Sequence, residues 1–159
     1  MQEEPTLHPS LEPVAWLLGT FEGEGRGDYP TIEAFDYLER VTFAHVGTPV
    51  LSYVQRTWNA RTGQPMHGES GYLRLPTATA VELVVAHTFG IAEVQEGEVR
   101  DGEIHLVSRA LSPTATAKRV TSVRRRWCRD PDGLRVDVWM AYGHVPETHH
   151  LSSALRRTE

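Results

Sequence analysis

The chain has 159 residues, 40% hydrophobic and 23% charged, with a formal net charge of -5. That length suits one domain with a sizeable interior, and the acidic balance excludes a sequence-wide electrostatic case for nucleic acid. A single cysteine, Cys128, rules out an intramolecular disulfide and any Cys-based zinc or iron–sulfur site built from this chain alone.

The opening stretch, MQEEPTLHPSLEP, is acidic and punctuated by proline, without the basic and apolar regions of a secretion signal. Residues 1–10 are expected to form a flexible arm. No apolar run is long enough to span a bilayer, and the cysteine usage suits a reducing cytoplasm. Residues 9–18 (PSLEPVAWLL) allow one or two helical turns, limited by Pro13. Leu11, Val14, Ala15 and Leu18 are the expected apolar face, a lid or plug against a sheet. Gly19, Gly23, Gly25 and Gly27 then share one face of any strand, permitting a bend or a close backbone approach. A phosphate loop is excluded there, because no Lys-Ser/Thr pair follows and no strand–turn–helix context appears.

From here the chain reads as strand after strand. Expected strands cover Phe35–His45, Val50–Trp58, Pro65–Leu75, Val81–His87, Ile91–Arg100, Glu103–Leu111, Val120–Arg129, Leu134–Tyr142 and Pro146–Arg157. Asp101-Gly102 is the strongest hairpin signal, and Asp130-Pro-Asp-Gly133 is a turn with favoured dihedrals built in. Tyr37, Glu39, Val41 and Phe43 share one side of their strand; Leu134, Val136, Val138 and Met140 share one side of theirs. Arg124, Arg125 and Arg126 read as a solvated rim. About ten short strands in meander order, without crossovers, give an all-β fold: one antiparallel up-and-down β-barrel domain over residues 1–159. A barrel of that girth leaves an internal cavity.

Single residues inside that container carry weak signals. In the last strand, simple alternation puts His150, Ser152 and Ala154 on one face and Leu151, Ser153 and Leu155 on the other. His45, His67 and His87 fall in different strands, with no short metal-ligand spacing between them. Met66 and Met140 read as wall residues. Lys118 is the only lysine among 16 basic residues.

The set Leu18-Gly-Thr-Phe-Glu-Gly-Glu-Gly25, Tyr29-Pro-Thr31, Tyr37-Leu-Glu39, Phe43-Ala-His-Val-Gly47, Met66-His67, Gly71-Tyr72, Ala115-Thr-Ala-Lys118 and His150-Leu151 resembles the nitrobindin family, from about residue 11 to 157. The resemblance implies a ten-stranded barrel like the fatty-acid-binding proteins and lipocalins, holding one haem b per subunit. It also implies an isomerase that converts peroxynitrite to nitrate and binds nitric oxide. The family's GxWxGxG motif appears as Gly19, Phe21, Gly23 and Gly25, with Phe21 in place of tryptophan, which keeps an aromatic plug but loses an N–H donor. By the same resemblance His150 is the axial iron ligand, while Thr31 and Lys118 contact the haem. Imidazole suits that iron role, and the lysine ammonium suits a propionate. Partners are then small molecules, peroxynitrite and nitric oxide, with no nucleic acid and no membrane; a homodimer is left open. The alternative is a haem-free or weakly haem-binding carrier of a small apolar ligand. A hydrolase finds no Gly-x-Ser-x-Gly elbow.

Overall fold

In the computed structural model, which describes residues 2–159, ten strands form one closed sheet. They are β1 (Gly19–Gly27), β2 (Phe35–Ala44), β3 (Val50–Asn59), β4 (Pro65–Arg74), β5 (Ala80–His87), β6 (Ile91–Arg100), β7 (Glu103–Pro113), β8 (Val120–Asp130), β9 (Gly133–Tyr142) and β10 (Val145–Arg157). Hydrogen-bonded neighbours follow chain order, and β1 closes the barrel by pairing antiparallel with β10. Among the described residues, closure leaves no free sheet edge. Strand ends differ from the expected ones by at most two residues. Among the described residues no helix is long and apolar enough to cross a membrane.

Turn chemistry sets much of the register. Asp101 and Gly102 both have positive φ, 50° and 75°, as a two-residue hairpin of the primed type requires. On β1, a Cβ on Gly25 would meet the Tyr37 ring at 2.2 Å, and one on Gly27 would meet Phe35 at 2.3 Å. These two glycines let the β2 aromatics lie across β1, and both rings then line the interior cavity.

The N-terminal helix, Pro9–Leu17, is a 3-10 helix. Its buried side chains are Leu11, Val14 and Leu17, a three-residue period instead of the expected Leu11, Val14, Ala15 and Leu18. Three residues per turn brings every third side chain to one face, so Leu17 replaces Leu18. Each is fully buried, worth about 1.5–3 kcal/mol relative to exposure. The segment expected as an arm over residues 1–10 is partly docked: Leu7 packs on the core and the His8 side chain caps the helix by accepting from the Ser10 N–H. Beyond the helix, Phe43, Tyr53 and Trp127 pack with ring centroids 5.1–5.3 Å apart. The helix and this aromatic layer fill one end of the barrel. The other end stays open.

Candidate functional site

The open end is ringed by the segments that join β1 to β2 and β7 to β8, and by the mouth ends of the strands. They enclose a cavity of about 490 Å³ bordered by Tyr29, Thr31, Ile32, Phe35, Tyr37, Met66, His67, Phe89, Lys118, Val120, Met140, Tyr142, His150 and Leu151, among others. That size is typical of a small-molecule site. The lining is mostly apolar and aromatic, with hydroxyls and one ammonium at the rim.

His150 enters the cavity wall through an irregularity. Across β9 and β10, His149 pairs with Trp139, but the next pairing joins Leu151 to Val138, so His150 is an extra residue. Such a bulge re-aims a side chain. The inward set on β10 is therefore His150, Leu151, Ser153 and Leu155, while Ala154 is exposed and Ser152 only half-buried. This corrects the expected face of His150, Ser152 and Ala154. Strict alternation fails because one residue has been inserted into the ladder.

The His150 ring is 5% exposed. It stacks on Tyr29 at a centroid distance of 3.3 Å and meets Tyr142 edge-on at 5.8 Å. Among the described residues its buried Nδ1 has no hydrogen-bond partner. Burial, with a smaller push from His149, pulls its pKa down to about 4, so the ring is neutral near pH 7. His149 points the other way, half-exposed, with Nε2 3.0 Å from Asp137 Oδ1. Burial, then the neighbouring Tyr142, pushes the Tyr29 hydroxyl up to about 12. Thr31 Oγ1 lies 2.8 Å from the Tyr142 hydroxyl, tying the β1–β2 segment to β9. Lys118 is exposed at the rim. His150, Thr31 and Lys118 thus border one cavity. The motif residue Phe21 lies towards the closed end, with the Arg157 guanidinium 4.5 Å from its ring centroid.

A second polar group lies in the wall beside the cavity and escaped the sequence reading. Arg125, expected on the rim, is 3% exposed inside the barrel. On β8, Val123, Arg125 and Trp127 point in, while Arg124 and Arg126 point out and pair with Glu147 and Glu103. Arg125 donates to Glu69 Oε1 and to the Tyr53 hydroxyl, and Tyr53 donates to Glu69 at 2.5 Å. Burial alone would raise Glu69; Arg125, then hydrogen bonds from His67 and His87, hold its pKa well below the carboxylate range instead.

His87 sits between Glu69 Oε2 at 3.1 Å and Glu93 Oε1 at 2.8 Å. Burial would lower its pKa, but bonds to Glu69 and Glu93 outweigh that and raise it to about 9. Glu39 is held by Ser153 and Gln55, yet burial wins and raises it. The signal that could have found this group is register. Glu69 pairs directly with His87, and His67 lies two residues earlier on the same face of β4. His45 is not part of it: its Nδ1 accepts from the Gly47 N–H in the β2–β3 turn.

These features can be set beside known proteins. The family described as "THAP4-like, heme-binding beta-barrel domain" matches residues 10–157. A Mycobacterium ulcerans protein named peroxynitrite isomerase 2 is 45% identical over 155 residues, covering 95% of this chain and 96% of that one. A Nocardia farcinica protein named peroxynitrite isomerase is 44% identical, covering 98% and 95%. The crystal structure of Rv2717c from Mycobacterium tuberculosis superposes with a TM-score of 0.90 at 40% identity, covering 97% of this chain and all of that one. With a matching ten-stranded barrel and a family match over nearly its whole length, the chain belongs to the THAP4-like haem-binding β-barrel domain family, the nitrobindins.

Proposed function

We propose that this single-domain protein binds one haem b per chain through His150 and isomerises peroxynitrite to nitrate, with nitric oxide as a second small ligand. The observation that carries the reading is the buried imidazole whose Nδ1 has no protein partner, on the wall of an apolar cavity of about 490 Å³. The residues present fit the group. A macrocycle needs an apolar slot, one nitrogen ligand and a polar rim. Phe35, Phe89, Val120, Met140 and Leu151 offer the first, His150 the second, and Thr31 and Lys118 the third. When bound, ferric haem supplies the redox-active centre for the rearrangement of peroxynitrite; the protein supplies ligation, access and dielectric.

The chain's own contributions follow from the geometry. Burial keeps the His150 ring neutral, so a nitrogen lone pair is available without first losing a proton. Tyr29, stacked on the ring, restricts its rotation. The Thr31–Tyr142 bond holds the β1–β2 segment over the cavity. Lys118, exposed at the rim, offers an ammonium to a propionate. The mostly apolar lining would give a bound group few polar neighbours.

The rival reading, a carrier of a small apolar ligand, would gain from a free interior cation able to hold an acidic head group. Arg125 is not free: Glu69 and Tyr53 already occupy it.

Hemin titration tests the proposal. The wild-type protein should give a Soret band with one haem per chain. His150→Ala should weaken binding on the order of a hundredfold or more, beyond the 10–100-fold typical of losing a ligand's supporting partner. Stopped-flow mixing with peroxynitrite should give more nitrate from the loaded protein than from the haem-free one. Unchanged haem binding in His150→Ala would remove that residue from the role.

A further inference from the structure

The wall formed by β4, β5 and β6 carries a group of side chains that the proposed haem site leaves unused. Three ligand atoms converge there. His67 Nε2 lies 3.2 Å from Glu69 Oε2, His87 Nδ1 lies 3.1 Å from the same oxygen, and the two nitrogens are 3.3 Å apart. A tetrahedral zinc ion with bonds of about 2.0–2.2 Å separates its ligand atoms by about 3.3–3.5 Å. The triangle therefore already has nearly the dimensions of one face of such a polyhedron.

Hydrogen bonding alone accounts for this triangle poorly. If both ring nitrogens donate to Oε2, their two N–H groups confront each other. If one nitrogen is bare, it loses its bond to the carboxylate. A cation at the centre satisfies all three atoms at once.

The surroundings are those of a metal site. Glu93 Oε1 holds His87 Nε2 at 2.8 Å, and Gln95 Nε2 donates to Glu93 Oε2 at 2.9 Å. A carboxylate on the far nitrogen fixes the tautomer that leaves Nδ1 with a lone pair, as it does for metal-bound histidines generally. Arg125 and Tyr53 take the other oxygen of Glu69, so Oε2 is turned to the imidazoles. Two buried carboxylates, Glu69 and Glu93, face one buried guanidinium, Arg125. His67 also borders the larger cavity, which gives a fourth coordination position an outlet.

We propose that His67, His87 and Glu69 form a binding site for a first-row divalent cation of the zinc type, distinct from the haem pocket and sharing a wall with it. Two imidazoles, one carboxylate and an open fourth position make an exchange-competent site, not a closed structural one. The inference needs no haem: zinc binding can fail while hemin binding through His150 succeeds, and the reverse.

The test uses the full chain, haem-free and stripped with chelator, titrated with Zn²⁺ by calorimetry and with Co²⁺ to read visible d–d bands. One tight site per chain is expected. His67→Gln and His87→Gln should each weaken it about a hundredfold or more, and Glu93→Gln about 10–100-fold, as loss of a supporting partner does. His150→Ala should leave zinc affinity unchanged. Thermal melts establish that each variant is folded, and the wild-type protein carries an independent check. Anomalous scattering from a zinc-soaked crystal should place the ion between the three named atoms. The proposal is overturned by no measurable binding, by affinity that survives both histidine substitutions, or by an ion found only at surface histidines such as His149 with Asp137.

Discussion

His150 and His87 are both interior imidazoles at the open end of the barrel, and their surroundings treat them in opposite ways. The protein gives His150 no partner for Nδ1 and an aromatic ring across its face, and burial drives its pKa down to about 4. It gives His87 a carboxylate oxygen at each nitrogen, at 3.1 and 2.8 Å, and raises its pKa to about 9. An available lone pair arises at His150 because partners are withheld. At His87 partners are supplied, and without metal that ring is a charged member of a buried network. The contrast separates a ring left without a polar partner from one whose partners also contribute to the barrel's stability.

The sharpest way to break this contrast is to remove the cation that the His87 network is built around. Arg125→Met leaves Glu69 buried with only Tyr53 and the imidazoles, and breaking a buried pair costs about 3–5 kcal/mol. The outcome is read from urea denaturation of the haem-free protein at neutral pH. A loss below about 1 kcal/mol, the range of an exposed ion pair, would show that the network is not buried as described. Next in size is a paired comparison. His87→Ala strands Glu93 and part of Glu69, at a cost of about 1–3 kcal/mol for unsatisfied buried groups. His150→Ala strands nothing and removes an already unpartnered nitrogen, so stability should stay within about 1 kcal/mol of the parent. Equal costs at the two positions would erase the distinction.

The barrel itself was readable because its signals are local. Hairpin turns such as Asp101-Gly102 and alternation such as Leu134, Val136, Val138 and Met140 each span a few residues, and each matches the structure. The site was readable only in part. The bulge at His149–Leu151 leaves no mark in the sequence, because an inserted residue looks like any other until its partner strand is known. Arg125 was misread for the opposite reason. An arginine flanked by two others looks solvated, and only the Glu69 and Tyr53 brought across the barrel make its inward position tolerable. The pairing of His67 with His87 depends on the β4–β5 register, which twenty residues of sequence separation conceal.

The smallest expected effect separates the two imidazoles by the sign of their pH dependence. For His150 the folded pKa, about 4, lies below the ordinary 6.5. The unfolded chain therefore binds more protons between those values, and stability falls as pH drops from about 6.5 towards 4. For His87 the folded pKa, about 9, lies above 6.5, so its contribution is complete below pH 6.5 and is lost as pH rises through about 9. Each limb is on the order of 1–2 kcal/mol over the first one and a half pH units from neutrality. In the haem-free, metal-free protein, the melting temperature plotted against pH should thus fall on both sides of a maximum near 6.5. The groups facing His150 are Tyr29 and Tyr142, with His149 next to it in the chain and turned outward; those facing His87 are His67, Glu69 and Glu93, with Arg125 beyond. His150→Ala should flatten only the acid limb, and His87→Gln only the alkaline one. If either substitution flattens the opposite limb, the assignment of charge to the two walls is reversed, and with it the reason His150 is the ring available to a ligand.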